Sequence, residues 1–251
     1  MLDICLLGTG GMMPMPSRFL TAMLARLNGR LALIDCGEGT QVTMKMLGWG
    51  FKAIDVICFT HFHADHISGL PGLLLTIGNA GRTEPLTLIG PVGLQRIVEG
   101  LTLIAPELPF PIEYIELTQD APNPISVGAF EIHHCPADHM VKCFAYRIDL
   151  KRKGKFDVKK AERLKLPKPL WNKLQKEGSV EHEGKTYTAD MVMGENRKGI
   201  SVAYCTDSRP VDRIPKFVEV VQLFTCEGMY GEDDKLEKAK GYKHMTFREA
   251  A

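Results

Sequence analysis

The sequence predicts a layered α/β fold, and three observations carry that expectation. Short apolar runs that read as strands alternate with helical patterns through the first half of the chain, the signature of a layered α/β architecture. Several runs, at 3–8, 55–59, 129–135, 199–205 and 222–226, lead straight into loops rich in Gly, His, Asp or Glu, so polar chemistry collects at strand exits. The chain has 251 residues, 45% of them hydrophobic and 24% charged, enough for one domain with a substantial core plus an insertion.

Taken in order, residues 3–8 read as a first strand that runs into Gly8-Thr9-Gly10-Gly11 and then Pro14 and Pro16. Segments 21–27 and 30–34 read as two strands around an Asn28-Gly29 hairpin turn. The Gly-rich loop 35–41 follows directly. Its spacing fits neither the dinucleotide fingerprint nor the P-loop, so no nucleotide cofactor is expected. Asp35 and Glu38 are instead candidates to orient metal-bound histidines from behind. Residues 85–90 form another strand, 92–103 an amphipathic helix, and the proline-bearing stretch up to 116 a loop and an edge strand. Strands at 129–135, 144–148, 199–205 and 222–226 complete the pattern. Residues 233–240 are helical in composition, and Thr246 with Glu249 forms a capping-box pattern that opens a last helix.

The chemistry centres on Thr60-His61-Phe62-His63-Ala64-Asp65-His66, four potential metal ligands within six residues. An apolar strand enters this stretch and an apolar helical run at 67–77 leaves it. In extended backbone His61 and His63 project to one side, while Asp65 and His66 can aim at a second point. Imidazole with carboxylate suits zinc, with manganese also possible, and two such metals about 3.5–4 Å apart make a two-metal hydrolase. His139 at a strand exit is expected to complete the His61/His63 pair. Asp207 at another exit is placed to bridge two metals. His133 reads as packing or surface, and His134 has no assigned role.

Residues 151–186 hold twelve Lys or Arg against five acids, a net +7 in a chain of net +1. Two short helices are expected, at 156–164 and 170–174, with too few apolar residues for a core of their own. The segment 151–198 therefore reads as an arm inserted into a single domain spanning 1–251. Lys151, Arg152, Lys153, Lys155, Lys165, Lys168 and Lys173 are its candidate phosphate contacts, suited to RNA without base specificity. Seven scattered cysteines with no C-x-x-C pair argue for a reducing compartment and a cytoplasmic location. No apolar run is long enough to cross a membrane.

These motifs together resemble the metallo-β-lactamase superfamily, and within it the short-form transfer-RNA 3′-processing endonucleases, the ribonuclease Z family. The resemblance rests on Gly8-Thr9-Gly10 with Pro14 and Arg18, on Asp35-Cys36-Gly37-Glu38-Gly39-Thr40-Gln41, on His61 to His66, on Pro136 to His139, on the basic insertion, on Thr206-Asp207-Ser208, and on His244-Met245-Thr246. It implies a four-layer αβ/βα sandwich with an inserted basic arm. His61, His63 and His139 would hold one zinc, Asp65 and His66 the other, and Asp207 would bridge them. The implied reaction removes the 3′ trailer of precursor transfer RNA by attack of a metal-activated hydroxide, leaving a 3′-hydroxyl. Asp65 is implied as general base, with His244, backed by Glu227, assisting the leaving group. The arm would grip the transfer-RNA elbow from the partner subunit of a homodimer.

The sequence departs from the family in reading Lys168-Pro169 for a Gly-Pro pair in the arm, and Thr206 for a glycine before Asp207. The family's last ligand to the second zinc lies after the His-x-Thr segment, where the sequence has no match. The C-terminus therefore reads as incomplete, with a weak second zinc site and low activity expected. Two alternatives share the motifs: a general phosphodiesterase on the same metal pair, and an RNA-binding homologue whose catalysis has decayed.

Overall fold

In the computed structural model, which describes residues 2–105, 107–152 and 154–251, strand β1 (Leu2–Gly8) pairs antiparallel with β2 (Ala22–Leu27). The chain turns at Asn28 and Gly29, both with left-handed backbone angles (φ 51° and 81°), into β3 (Arg30–Ile34). Three parallel strands follow, β4 (Ile54–Cys58), β5 (Leu86–Pro91) and β6 (Ile112–Leu117), giving a six-stranded sheet in the order β1-β2-β3-β4-β5-β6. Parallel neighbours require crossovers. These carry helices α1 (Thr40–Leu47), α2 (Ala64–Ile67), α3 (Leu70–Asn79) and α4 (Leu94–Leu101). The helix expected at 92–103 is α4 followed by a 3-10 turn, Thr102–Ile104.

One face of this sheet, with Leu24, Leu31, Leu33, Ile57 and Leu88, packs on Met44, Leu73, Leu74, Ile77, Leu94 and Val98 of the helices. The alternate residues Met23, Ala25, Ala32, Ile34 and Val56 are just as buried on the opposite face. A sheet buried on both sides reads as continuous apolar strands, which is why the sequence runs are unbroken.

The second sheet begins with β7 (Ile125–Val127), β8 (Phe130–Pro136) and β9 (Phe144–Arg152). The chain then enters a separate compact unit, Leu150–Ile200. This unit holds α5 (Val158–Arg163), α6 (Lys168–Glu177) and the hairpin β10 (Ser179–His182)–β11 (Lys185–Thr188). Contrary to expectation it has a core of its own. Ala161, Leu166, Leu174, Val180 and Val192 are buried, and Phe156, Leu170, Trp171 and Tyr187 pack against them. Trp171 donates its indole N–H to the Leu166 carbonyl (2.8 Å), and Asp157 caps α5 by accepting the Lys160 amide.

Strands β12 (Arg197–Cys205) and β13 (Leu223–Cys226) return to the second sheet, whose order is β13-β12-β9-β8-β7. Helix α7 (Arg213–Val218) lays Ile214, Phe217 and Val218 over Ala145, Cys205 and Phe224. Tyr146 of β9 donates to the Phe59 carbonyl (2.8 Å), and the Phe144 amide to the Thr60 carbonyl (3.0 Å). These bonds tie the second sheet to the end of β4. Helices α8 (Leu236–Tyr242) and α9 (Phe247–Ala250) follow, and the Thr246–Glu249 capping box is formed at the start of α9. No helix among the described residues is long and apolar enough to cross a membrane.

Candidate metal centre

Strand exits bring the polar residues together. The loop after β4 carries His61 to His66, the loop after β8 carries His139, and the loop after β12 carries Asp207. His63 Nδ1 lies 3.0 Å from His61 Nε2 and 3.2 Å from His139 Nε2. Asp207 Oδ2 lies 3.7 Å from both His61 Nε2 and His139 Nε2. These spacings suit the edges of a tetrahedron around zinc, about 3.3 Å for ordinary zinc–nitrogen bonds. The same Asp207 oxygen is 3.4 Å from His66 Nε2, which in turn lies 3.8 Å from Asp65 Oδ2. One carboxylate oxygen thus faces both groups of donors.

The outer nitrogens fix how each ring presents itself. His66 Nδ1 is 2.8 Å from Asp35 Oδ2, an acceptor, so it carries the proton. The Thr60 hydroxyl donates to Asp35 (2.9 Å), so it accepts from His61 Nδ1 at 3.1 Å. His139 Nδ1 faces the Lys243 carbonyl at 3.2 Å. For His61 and His139 the second nitrogen turns a lone pair inward, as a metal ligand must, and His66 Nε2 does so once a cation displaces its second proton. Asp35 is fully buried, and its backbone is left-handed, φ 59°.

Electrostatics divide the rings. Burial, reinforced by the neighbouring His66, pushes His61 down to about 2, so it stays neutral. Burial also lowers His139. For His66, burial opposes charge, but Asp35 and Asp207 outweigh it and push the imidazole up to about 10. The positive charge drawn there sits beside Asp207 and Asp65, where a cation would find the same attraction. Burial would raise Asp207, yet His66, His61 and His244 hold it ionised, below the usual carboxylate range. The donor set therefore fits a divalent cation.

Beside this cluster Glu227 accepts the Ser208 amide (2.7 Å) and the Met245 amide (3.2 Å), and both its oxygens face His244 Nδ1 at 3.1 and 3.2 Å. Burial opposes charge on His244, but Glu227 raises it above the ordinary histidine value. Asp65 receives the Met12 amide at 3.0 Å. A cavity of about 350 Å³ opens onto Asp65, Asp207 and Glu227, walled by Arg18, Tyr204, Met229 and Phe247.

The comparisons with known proteins agree with this geometry. The sequence profile of the family described as Anti-Pycsar protein Apyc1 matches residues 2–98. Ribonuclease Z of Lachnospira eligens is 58% identical over 251 residues, covering 100% of this chain and 82% of its own length. The chain belongs to the ribonuclease Z family. Ribonuclease Z of Clostridium acetobutylicum is 55% identical over 256 residues, with 100% and 83% covered. Among solved structures, the short form of human tRNase Z matches with a TM-score of 0.69 at 24% identity, covering 100% of this chain and 86% of its own. The metallo-β-lactamase fold protein YhfI from Bacillus subtilis matches at 0.66 and 18%, covering 99% and 78%. At those identities the likeness is one of fold, and it is the metallo-β-lactamase fold expected from the motifs.

Of the other residues weighed from the sequence, one stands elsewhere than expected. Glu38 is exposed, and its backbone carbonyl accepts the Leu20 amide, so it orients no histidine. His133 pairs with Asp149 at 3.0 Å, and His134 packs its ring on Phe144. In the inserted unit Lys151, Lys155, Lys165, Lys168 and Lys173 are exposed and Arg152 is half-buried, while Lys153 lies outside the described residues. Thr60, Met12, Lys243 and Arg209 were not singled out from sequence. Three of them act through backbone or hydroxyl groups, which spacing does not reveal. All seven cysteines are unpaired.

Proposed function

We propose that this ribonuclease Z family member is a zinc-dependent endoribonuclease that removes the 3′ trailer from precursor transfer RNA and leaves a 3′-hydroxyl. The observation that carries the proposal is the meeting of His61, His63, His139 and Asp207 from three strand exits, in a chain 58% identical to a ribonuclease Z along its whole length. In this reading His61, His63 and His139 would hold one zinc, Asp65 and His66 would hold a second, and Asp207 would serve both. Manganese is the alternative ion for the same nitrogen and carboxylate donors. When bound, the metal pair supplies Lewis acidity and a water acidified to near neutral pH.

The chain's own groups do the rest. Asp65, held by the Met12 amide, accepts a proton as general base. His244, whose hold on a proton Glu227 strengthens against the effect of burial, gives a proton to the departing oxygen. Asp35, Thr60 and the Lys243 carbonyl hold the ligand rings in the orientation and tautomer that binding needs. The exposed lysines of the inserted unit contact RNA phosphates without reading sequence. The family resemblance adds a homodimer, in which the arm of one subunit serves the other, and a cytoplasmic location that suits the unpaired cysteines.

The test is cleavage of a precursor transfer RNA with a short 3′ trailer by zinc-loaded protein, with the product ends mapped. A 3′-hydroxyl at the end of the acceptor stem, lost in Asp65→Ala, is the expected result. Hydrolysis of small phosphodiesters alone would favour the general phosphodiesterase, and RNA binding without any hydrolysis the decayed homologue.

A further inference from the structure

Arg209 lies two residues beyond Asp207, and its side chain reaches helix α9. Its guanidinium donates to both carboxylate oxygens of Glu249, to Oε2 at 2.8 Å and to Oε1, and also to the His244 carbonyl. Its backbone amide donates to the Asp138 carbonyl at 2.9 Å. Glu249 closes the capping box by accepting the Thr246 amide at 3.0 Å, while its own amide donates to Thr246 Oγ1. One residue therefore holds the start of α9 against the loop that carries His139, through its guanidinium on one side and its backbone amide on the other.

The stretch 243–249 reaches the site at three places. The Lys243 carbonyl faces His139 Nδ1, the His244 ring faces Glu227, and the Met245 amide donates to Glu227. Lys243 is left-handed, φ 57°, a conformation unfavourable for any residue with a side chain. Its ammonium is paired with Asp138. The Tyr230 backbone brackets the stretch from the other side, donating to the Met245 carbonyl and accepting the Phe247 amide. The bidentate Arg209–Glu249 pair, with side chains 15% and 20% exposed, is the strong directional bond in this set.

We propose that Arg209 and Glu249 are positioning residues for the hydrolytic reaction. They form a latch that keeps His244 seated on Glu227. The inference rests on the proposed role of His244 toward the leaving group. The latch acts through His244, so its loss matters most where the leaving oxygen needs a proton.

The experiment compares Arg209→Gln, Glu249→Gln and Arg209→Lys, zinc-loaded, on precursor transfer RNA and on bis(p-nitrophenyl) phosphate, whose leaving group departs without protonation. In either Gln variant kcat on RNA falls roughly a hundredfold, the scale of one lost proton donor, with KM changed by less than about twofold. Turnover of the nitrophenyl ester falls at least about tenfold less, and Arg209→Lys recovers part of the RNA rate. Nitrogen-15 spectra of the metal-free protein give an activity-independent reading: the His244 Nδ1 proton, sheltered in wild type, exchanges freely in both Gln variants. Equal losses on the two substrates, or an unchanged His244 proton, overturn the latch. Failure of wild type to cut RNA overturns the functional reading instead, and the His244 spectrum still judges the latch.

Discussion

Asp207 Oδ2 stands within 3.7 Å of three imidazole nitrogens, from His61, His66 and His139. A single carboxylate at that point has no neutral substitute. Asp207→Asn is expected to retain the fold and lose metal, checked by metal content after dialysis. Asp35→Asn acts one step further out: His66 loses its anionic partner, and zinc affinity falls roughly 10- to 100-fold, the usual cost of removing such a support, measured by competition with a chromophoric chelator. At this scale the sequence was informative where a His or Asp follows directly on an apolar run, because strand exits at one edge of a sandwich must converge. It was uninformative for Thr60 and Lys243, whose contributions are a hydroxyl and a carbonyl. Glu38 was misplaced because nothing in its residue type says which way the Gly37–Gly39 turn sends it.

Elements are fixed by close approach as much as by propensity. A methyl group on Gly37 would sit 2.3 Å from the Asp65 carbonyl oxygen and 2.5 Å from Leu20 Cβ. Gly37→Ala must therefore shift the loop beneath the His61–His66 stretch, at a cost of about 1–3 kcal/mol in urea unfolding. Helix α9 offers a pH test. The Arg209 guanidinium, the largest influence on it, holds the Glu249 carboxyl below the usual carboxylate range. A lowered carboxyl stabilises the fold above its unfolded value, near 4.3, and that contribution disappears as pH falls through the lowered folded value. The difference in urea midpoint between wild type and Glu249→Gln is thus expected to be full at pH 6 and to vanish at strongly acidic pH. The strands could be read because burial on both faces leaves unbroken apolar runs. Helix α1 could not, since it buries only Thr40 and Met44, too thin a stripe to show a period.

At the scale of the whole molecule, the chain falls into two compact units, one of them the inserted Leu150–Ile200. Excising residues 151–198 and rejoining the strands is expected to spare hydrolysis of a small phosphodiester and to weaken cleavage of precursor transfer RNA by at least tenfold, read as kcat/KM on each substrate at fixed salt. Saturating zinc is expected to raise the unfolding temperature of the larger unit, since an ion at a thousand times its Kd adds about 4 kcal/mol to the folded state, and a chelator should reverse the gain. The charge of the insertion was plain in the sequence, but its core was not, because five buried residues and four packed against them are scattered among lysines. Its two ends leave from β9 and β12, which are neighbours in the second sheet. Adjacent strands run about 5 Å apart, so a tight turn can bridge the gap. A lineage could thus shed, lengthen or exchange this cassette in a single genetic event, retuning substrate choice while the hydrolytic machinery is inherited intact.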